Sequence, residues 1–136
     1  LFSGFYVALT LLLLALIARG VSFEYRSKDA SPTWRHTWDW VIAISSFLAA
    51  LLWGVTVGNL MRGVAVSQDM YYSGGLMPLL NPFSILAGLV FVFLFLVHGA
   101  TFLGLKTTDP IMSRAKSTAL RMWVPAVVLT VLLVVW

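Results

Sequence analysis

The residue of this chain with the most chemistry to offer is a histidine inside an otherwise apolar stretch. His98 lies in the run 83–105, and on a helix it shares a stripe with Phe91, Phe95 and Phe102. Ionisable groups at membrane depth usually serve a function, and a neutral imidazole can ligate a haem iron or relay protons. The only other histidine, His36, lies in a charged connector, so the sequence offers no two histidines facing each other across a bilayer. Two readings of His98 therefore stand. One is a ligand or proton-relay candidate; the other is a buried neutral histidine hydrogen-bonded to a neighbouring helix. Other chemical signatures are missing from the sequence: it holds no Gly-rich phosphate loop, no H-E-x-x-H, no G-x-S-x-G and no pair of carboxylates at membrane depth. Without cysteine there is no disulfide and no thiolate metal site.

The elements that must position these side chains are set by the placement of charge. All five acidic and nine basic residues fall outside the apolar runs 1–17, 41–60, 83–105 and 122–136. A span needs about 20 mainly apolar residues at 1.5 Å of rise each, so the two inner runs fit whole and the outer two look cut. The sequence does not begin with Met and stops inside an apolar run, which predicts that four spans are visible of a longer chain. The charged fraction of 10% is far below the rough quarter of soluble domains, which excludes an ordinary soluble core. A cleavable leader would account for one apolar run and leaves the others unexplained. The expected fold is all-α, a polytopic transmembrane helix bundle forming a single region, with spans at about 1–17, 41–60, 83–105 and 120–136.

The net charge of +4 does not point to nucleic acid, because the basic residues flank the runs and build no separate basic face. Arg19, Arg26, Lys28 and Arg35 follow the first run, Arg62 alone follows the second, and Lys106, Arg114, Lys116 and Arg121 follow the third. The positive-inside rule makes connectors 18–40 and 106–119 cytoplasmic and connector 61–82 external. Strict alternation of four spans demands the same pattern.

Local signals refine this frame. Ser31-Pro32 and Asn81-Pro82 each read as an N-cap followed by proline at the first helical position. Arg35 and Asp39, four apart, are expected to pair along their helix, and Trp34, Trp38 and Trp40 to sit at headgroup depth. Tyr71 and Tyr72, near Gly74 and Gly75, read as interfacial too. Ser46, Ala50, Gly54 and Gly58 put small residues on one stripe, and Gly4 with Ala8 and Ala100 with Gly104 form shorter versions; such stripes let another helix approach closely. Asn59 is expected to cap the last carbonyls of its helix. The hydroxyls of Ser45, Ser46 and Thr56 are expected to bond their own helix, and Pro125 to kink the last span or sit in its first turns.

Particular strings go further. Arg19-Gly20-Val21-Ser22-Phe23-Glu24-Tyr25-Arg26-Ser27-Lys28, Trp38-Asp39-Trp40, Gly58-Asn59 and Asn81-Pro82-Phe83 follow one another in an order that resembles subunit II of the cytochrome bd quinol oxidases. Ser3-Gly4-Phe5-Tyr6 at the start and Gly99-Ala100 in the third run fit the same family. The resemblance covers most of the chain, is most specific in the arginine-rich string, and corresponds to the third to sixth spans of that subunit. It implies a multi-pass protein of the bacterial plasma (inner) membrane, in a complex that oxidises quinol and reduces dioxygen to water while generating proton-motive force. In that family haems b and d belong to subunit I, and subunit II packs against it, contributing lipid, quinone or proton-path surfaces; a small accessory subunit can accompany the pair. The acidic residues given a proton-access role lie in N-terminal helices that this sequence does not include. Some members carry glutamine at the position of His98, which suits packing or hydrogen bonding better than iron ligation.

For the matched residues, the resemblance implies no catalytic group, no metal ligand and no haem ligated by this chain. Glu24 and Arg26 are expected to form a cytoplasmic ion pair or turn anchor, and Trp38 and Asp39 to lock the second helix at the interface. Gly54, Gly58, Asn59 and Asn81 are expected at structural or interface positions. Two alternatives remain open: a helical-bundle domain of a transporter, marked by broken helices or polar groups meeting at the midplane, and a membrane adaptor without redox partners.

Overall fold

The computed structural model describes residues 2–63 and 77–136, with side chains from Phe5 onward. The surroundings of Gly4, together with Tyr71, Tyr72, Gly74 and Gly75, lie outside the described residues. Four long helices account for nearly all of the rest: α1, Phe2–Arg26; α2, Pro32–Arg62; α3, Pro82–Lys106; and α4, Ile111–Val135. At 1.5 Å per residue, 25 residues make about 37 Å and the 31 of α2 about 46 Å, so each exceeds the roughly 30 Å hydrocarbon thickness.

Each helix extends beyond its apolar stretch into the flanking residues. Thus α1 continues to Arg26, leaving only residues 27–31 before Pro32 restarts a helix. At that restart Ser31 stands at the N-cap position, but its hydroxyl makes no capping bond. Its backbone N–H instead donates to the Asp29 carboxylate at 2.9 Å, so an Asx turn closes the hairpin. Asn81 does cap α3, accepting from the Ser84 backbone N–H at 3.0 Å with Pro82 next in line. Gly63 ends α2 at φ 85°, a conformation that favours glycine. Pro125 lies inside a continuous α4.

The helices pack in sequence order, α1 on α2, α2 on α3 and α3 on α4, all antiparallel. They form an open row, so α1 and α3 stand on either side of α2 without substantial contact. A short 3-10 turn, Met77–Leu79, brings Leu79 into a small core with Phe5 and Ala8. The antiparallel order gathers Arg19, Arg26, Lys28 and Arg35 at the same end as Lys106, Arg114, Lys116 and Arg121, and leaves Arg62 at the other.

Outward faces stay apolar. On α4 only Ala115 and Ala126 are buried, while Val124, Val128, Val131 and Leu132 are more than half exposed. A water-facing helix with that surface would be a large aggregation-prone patch; in a bilayer it is matched to its solvent. The helix contacts themselves are made by small residues. A Cβ on Gly54 would stand 2.7 Å from the Gly88 Cα and 2.8 Å from the Ala87 carbonyl oxygen, so α2 and α3 meet backbone to backbone. One turn on, Gly58 faces Ala87 and Ser84. Between α3 and α4, the Lys116 stem lies over Gly104.

Candidate functional site

Polar chemistry in this chain collects at the two ends of α2. At the basic end, the last turn of α1 and the first turns of α2 form an aromatic and ionic corner. The Trp34 indole N–H donates to the Tyr25 carbonyl at 2.9 Å, which also accepts from the Lys28 backbone N–H at 3.2 Å, so the end of α1 is tied to the start of α2. The Tyr25 ring stacks on Trp38 at 5.5 Å, Trp34 meets Trp38 edge-on at 5.7 Å, and the Lys28 ammonium lies 4.6 Å above the Tyr25 ring. Beside them the Arg26 guanidinium grips the Asp39 carboxylate in a forked contact, through Nε and, at 3.3 Å, through Nη2.

Asp39 is thus held across the hairpin by Arg26 and not, as its spacing suggests, by Arg35 on its own helix. The fork geometry explains the preference, because a planar guanidinium satisfies both carboxylate oxygens at once. The Arg26 hydrogen bond, foremost, keeps the Asp39 carboxyl below the usual carboxylate range; the residue lies ahead of the apolar stretch 41–60. Glu24 has no ion-pair partner among the described residues, and its backbone carbonyl accepts from the Ser27 hydroxyl at 3.1 Å. The pair that anchors this corner is therefore Arg26 with Asp39.

Both groups are exposed, so the contact works as a positional lock more than a store of stability. Reversing Arg26 to glutamate is expected to set two carboxylates face to face and reduce recovery of the assembled protein. The double exchange R26D with D39R is expected to restore most of it. The readout is yield by size exclusion from equal amounts of membrane; equal yields for wild type and both variants would remove the lock.

At the opposite end, the Asn59 amide NH₂ donates to the Val55 carbonyl at 2.8 Å and the Leu79 carbonyl at 2.7 Å. Its Oδ1 accepts from Asn81 Nδ2 at 2.9 Å, and Asn81 Oδ1 accepts from both the N–H and the hydroxyl of Ser84. Asn59 is only 5% exposed. It does not serve the terminal carbonyls of α2; it ties α2 to the 3-10 turn and, through Asn81, to the cap of α3. Sequence spacing could not show this, because the Leu79 carbonyl is brought to Asn59 only by the fold.

His98 is exposed on α3 and is not buried among the described helices. The residues present do not fit a haem-ligating pair. The Trp40 indole N–H donates to His36 Nε2 at 3.1 Å, and antiparallel register puts His36 level with Lys106, about 12 Å along α3 from His98. No cluster of three or more His, Cys, Asp or Glu that could hold a metal occurs among the described residues. Thr56 and Ser45 bond their own helix, at 2.8 and 3.2 Å, as their types suggest.

The row of helices leaves a concavity on the face of α2. A groove of about 710 Å³ runs along α2, floored by Ala43, Ser46, Ala49 and Ala50, with Phe47 and Trp53 beside them. Leu12, Leu16 and Arg19 of α1 form one wall, and Val92, Phe95 and Leu96 of α3 the other. The small-residue stripe on α2 thus divides its work: Gly54 and Gly58 bind α3, while Ser46 and Ala50 open a channel. Gly88, the partner of Gly54, was not singled out by the sequence reading, though Ser84 and Gly88 sit at the same four-residue spacing. Arg19 read only as a topology charge; its place on the groove wall is a property of the fold.

Long antiparallel helices in an open row, small residues at their crossings and charge confined to the ends define a polytopic helical membrane protein. The chain belongs to the family of cytochrome bd terminal oxidase subunit II, which it matches over residues 1–136. It is 46% identical over 122 residues to the cytochrome bd-I ubiquinol oxidase subunit 2 of Escherichia coli (strain K12), covering 87% of this chain and 32% of that protein. It is 43% identical over 122 residues to a probable cytochrome oxidase subunit 2 of Haemophilus influenzae, with the same two coverages. With the cytochrome bd ubiquinol oxidase subunit 2 of Bacillus subtilis the identity is 35% over 117 residues, 86% of this chain and 35% of the relative. The chain spans about a third of the length of these relatives.

Proposed function

We propose that this chain works in a respiratory quinol:dioxygen oxidoreductase of the bacterial inner membrane, as part of the subunit that packs against and stabilises a haem-bearing subunit I. The family match along the whole chain carries this reading. In it, haems b and d reside in the partner, quinol is the electron donor, dioxygen is reduced to water, and protons taken from the inside support proton-motive force. The broad apolar faces of α1, α3 and α4 supply surface for the partner, for lipid and quinone, and for a small accessory subunit. The basic end faces the cytoplasm by the positive-inside rule.

The transporter alternative finds less support. A substrate site of that class uses discontinuous helices meeting at the midplane, whereas α1 to α4 each run unbroken for 25 to 31 residues. The test is a dithionite-reduced minus air-oxidised absorption spectrum of the detergent-purified complex, isolated through a tag on this chain. Co-purifying bands of haems b and d are expected. A purified protein without haem, from membranes that contain it, would overturn the reading and bring the transporter and adaptor alternatives forward.

A further inference from the structure

We infer that the groove between α1 and α3 holds one membrane phospholipid with an anionic headgroup, its acyl chain lying on the small-residue floor of α2 and its phosphate paired with Arg19. The inference deepens the proposal that this protein offers a lipid surface; it rests on the membrane-spanning fold and not on the redox reaction.

Register gives the groove its polarity. Arg26 stands opposite Asp39, so counting back along α1 and forward along α2 places Arg19 level with Ser46 and Leu12 level with Trp53. Arg19 therefore stands seven residues, about 10 Å, below the ionic corner, at the basic end of an otherwise apolar channel. Its guanidinium lies 5.8 Å from the ring centre of Phe23, one turn nearer the connector, so the side chain extends towards the surface on its apolar stem. No carboxylate forms an ion pair with it among the described residues. A lone cation above an apolar trough is complementary to a phosphate above a hydrocarbon chain. The cytoplasmic leaflet, where the basic end belongs, is also where anionic headgroups gather.

The groove measures about 710 Å³, within the roughly 300–1,000 Å³ typical of small-molecule sites.

The test uses the full-length complex, purified in mild detergent from membranes containing phosphatidylglycerol and phosphatidylethanolamine, with bound lipid quantified by mass spectrometry. The wild-type complex is expected to retain phosphatidylglycerol after washing, and Arg19→Gln to retain about fivefold less, the factor one basic residue contributes towards anionic lipid. Ala50→Phe, which fills the floor, is expected to lose retention of phosphatidylglycerol as well. Arg121→Gln, on the same end but outside the groove, is expected to match wild type. Haem bands and elution volume, recorded for every variant, report folding and oxidase assembly separately from lipid. Equal retention by wild type and Arg19→Gln would overturn the inference. So would a loss in Arg121→Gln as large as that in Arg19→Gln, or a cross-link from a residue of the groove floor to another polypeptide segment.

Discussion

Gly54→Ala is expected to loosen the α2 and α3 pair, and Gly54→Leu to prevent assembly. Helices in lipid gain little from hiding apolar surface, so their association depends on close van der Waals contact. At Gly54 the atoms that a new methyl group would meet are the Gly88 Cα at 2.7 Å, the Ala87 carbonyl oxygen at 2.8 Å and the Phe91 Cβ at 2.9 Å. None is the free end of a flexible side chain, so relief requires the helices to move apart. Overpacking costs about 1–3 kcal/mol, against about 1 kcal/mol that alanine regains in helix propensity. The net effect for Gly54→Ala is a loss of up to about 2 kcal/mol. Gly99→Ala serves as the comparison, because no atom lies within 4 Å of a Cβ at that position. The measurement is unfolding of the purified complex in graded SDS, followed by loss of helical circular dichroism. Indistinguishable midpoints for the alanine variants at 54 and 99 would show that the close approach carries no energy.

The second large effect is expected at Asn59. In Asn59→Leu two groups lose their partners: the buried Leu79 carbonyl and the half-buried Asn81 Nδ2. Orphaned buried groups cost about 1–3 kcal/mol each, whereas single polar contacts between membrane helices average only about 0.6 kcal/mol, because unfolded states in lipid also find partners. Two orphans in one node place the expected loss at about 2 kcal/mol. Asn81 separates capping from bridging. Asn81→Asp keeps an oxygen for the Ser84 N–H at a helix N-terminus that favours negative charge, but removes the donor to Asn59; Asn81→Ala removes both functions. Asn81→Ala is therefore expected to be the more damaging. Asn59→Leu combined with Asn81→Ala is expected to cost less than the two single losses added, and strict additivity in the same SDS titration would show that the node is not a unit.

The fate of the candidate residues follows from where each one's partner lies. Asn81 was legible as a helix start because its partner, the Ser84 N–H, is three residues away. Gly54 and Gly58 were legible as close-packing positions, since a four-residue spacing of small side chains means the same on any helix. For Asp39 the neighbour in sequence, Arg35, misled: a hairpin brought Arg26 into better geometry. For His98 the apolar run gives its depth but not its side of the helix, and among the described helices the imidazole is exposed.

By itself, then, the sequence determined that the chain is four apolar helices with charged ends, where the second and third of them start, and which family they belong to; α4 begins at Ile111, well ahead of the expected 120. Length, hydropathy and capping are local properties, written in residues within a few positions of each other. Only the tertiary structure decided the order of packing, the pairing of Arg26 with Asp39, the bridge from Asn59 to Leu79 and Asn81, and the groove that Arg19 overlooks. Those depend on which turn of one helix stands level with which turn of the next. The small residues that let α2 and α3 meet backbone to backbone set that register through steric fit between residues far apart in sequence, as Gly54 is from Gly88.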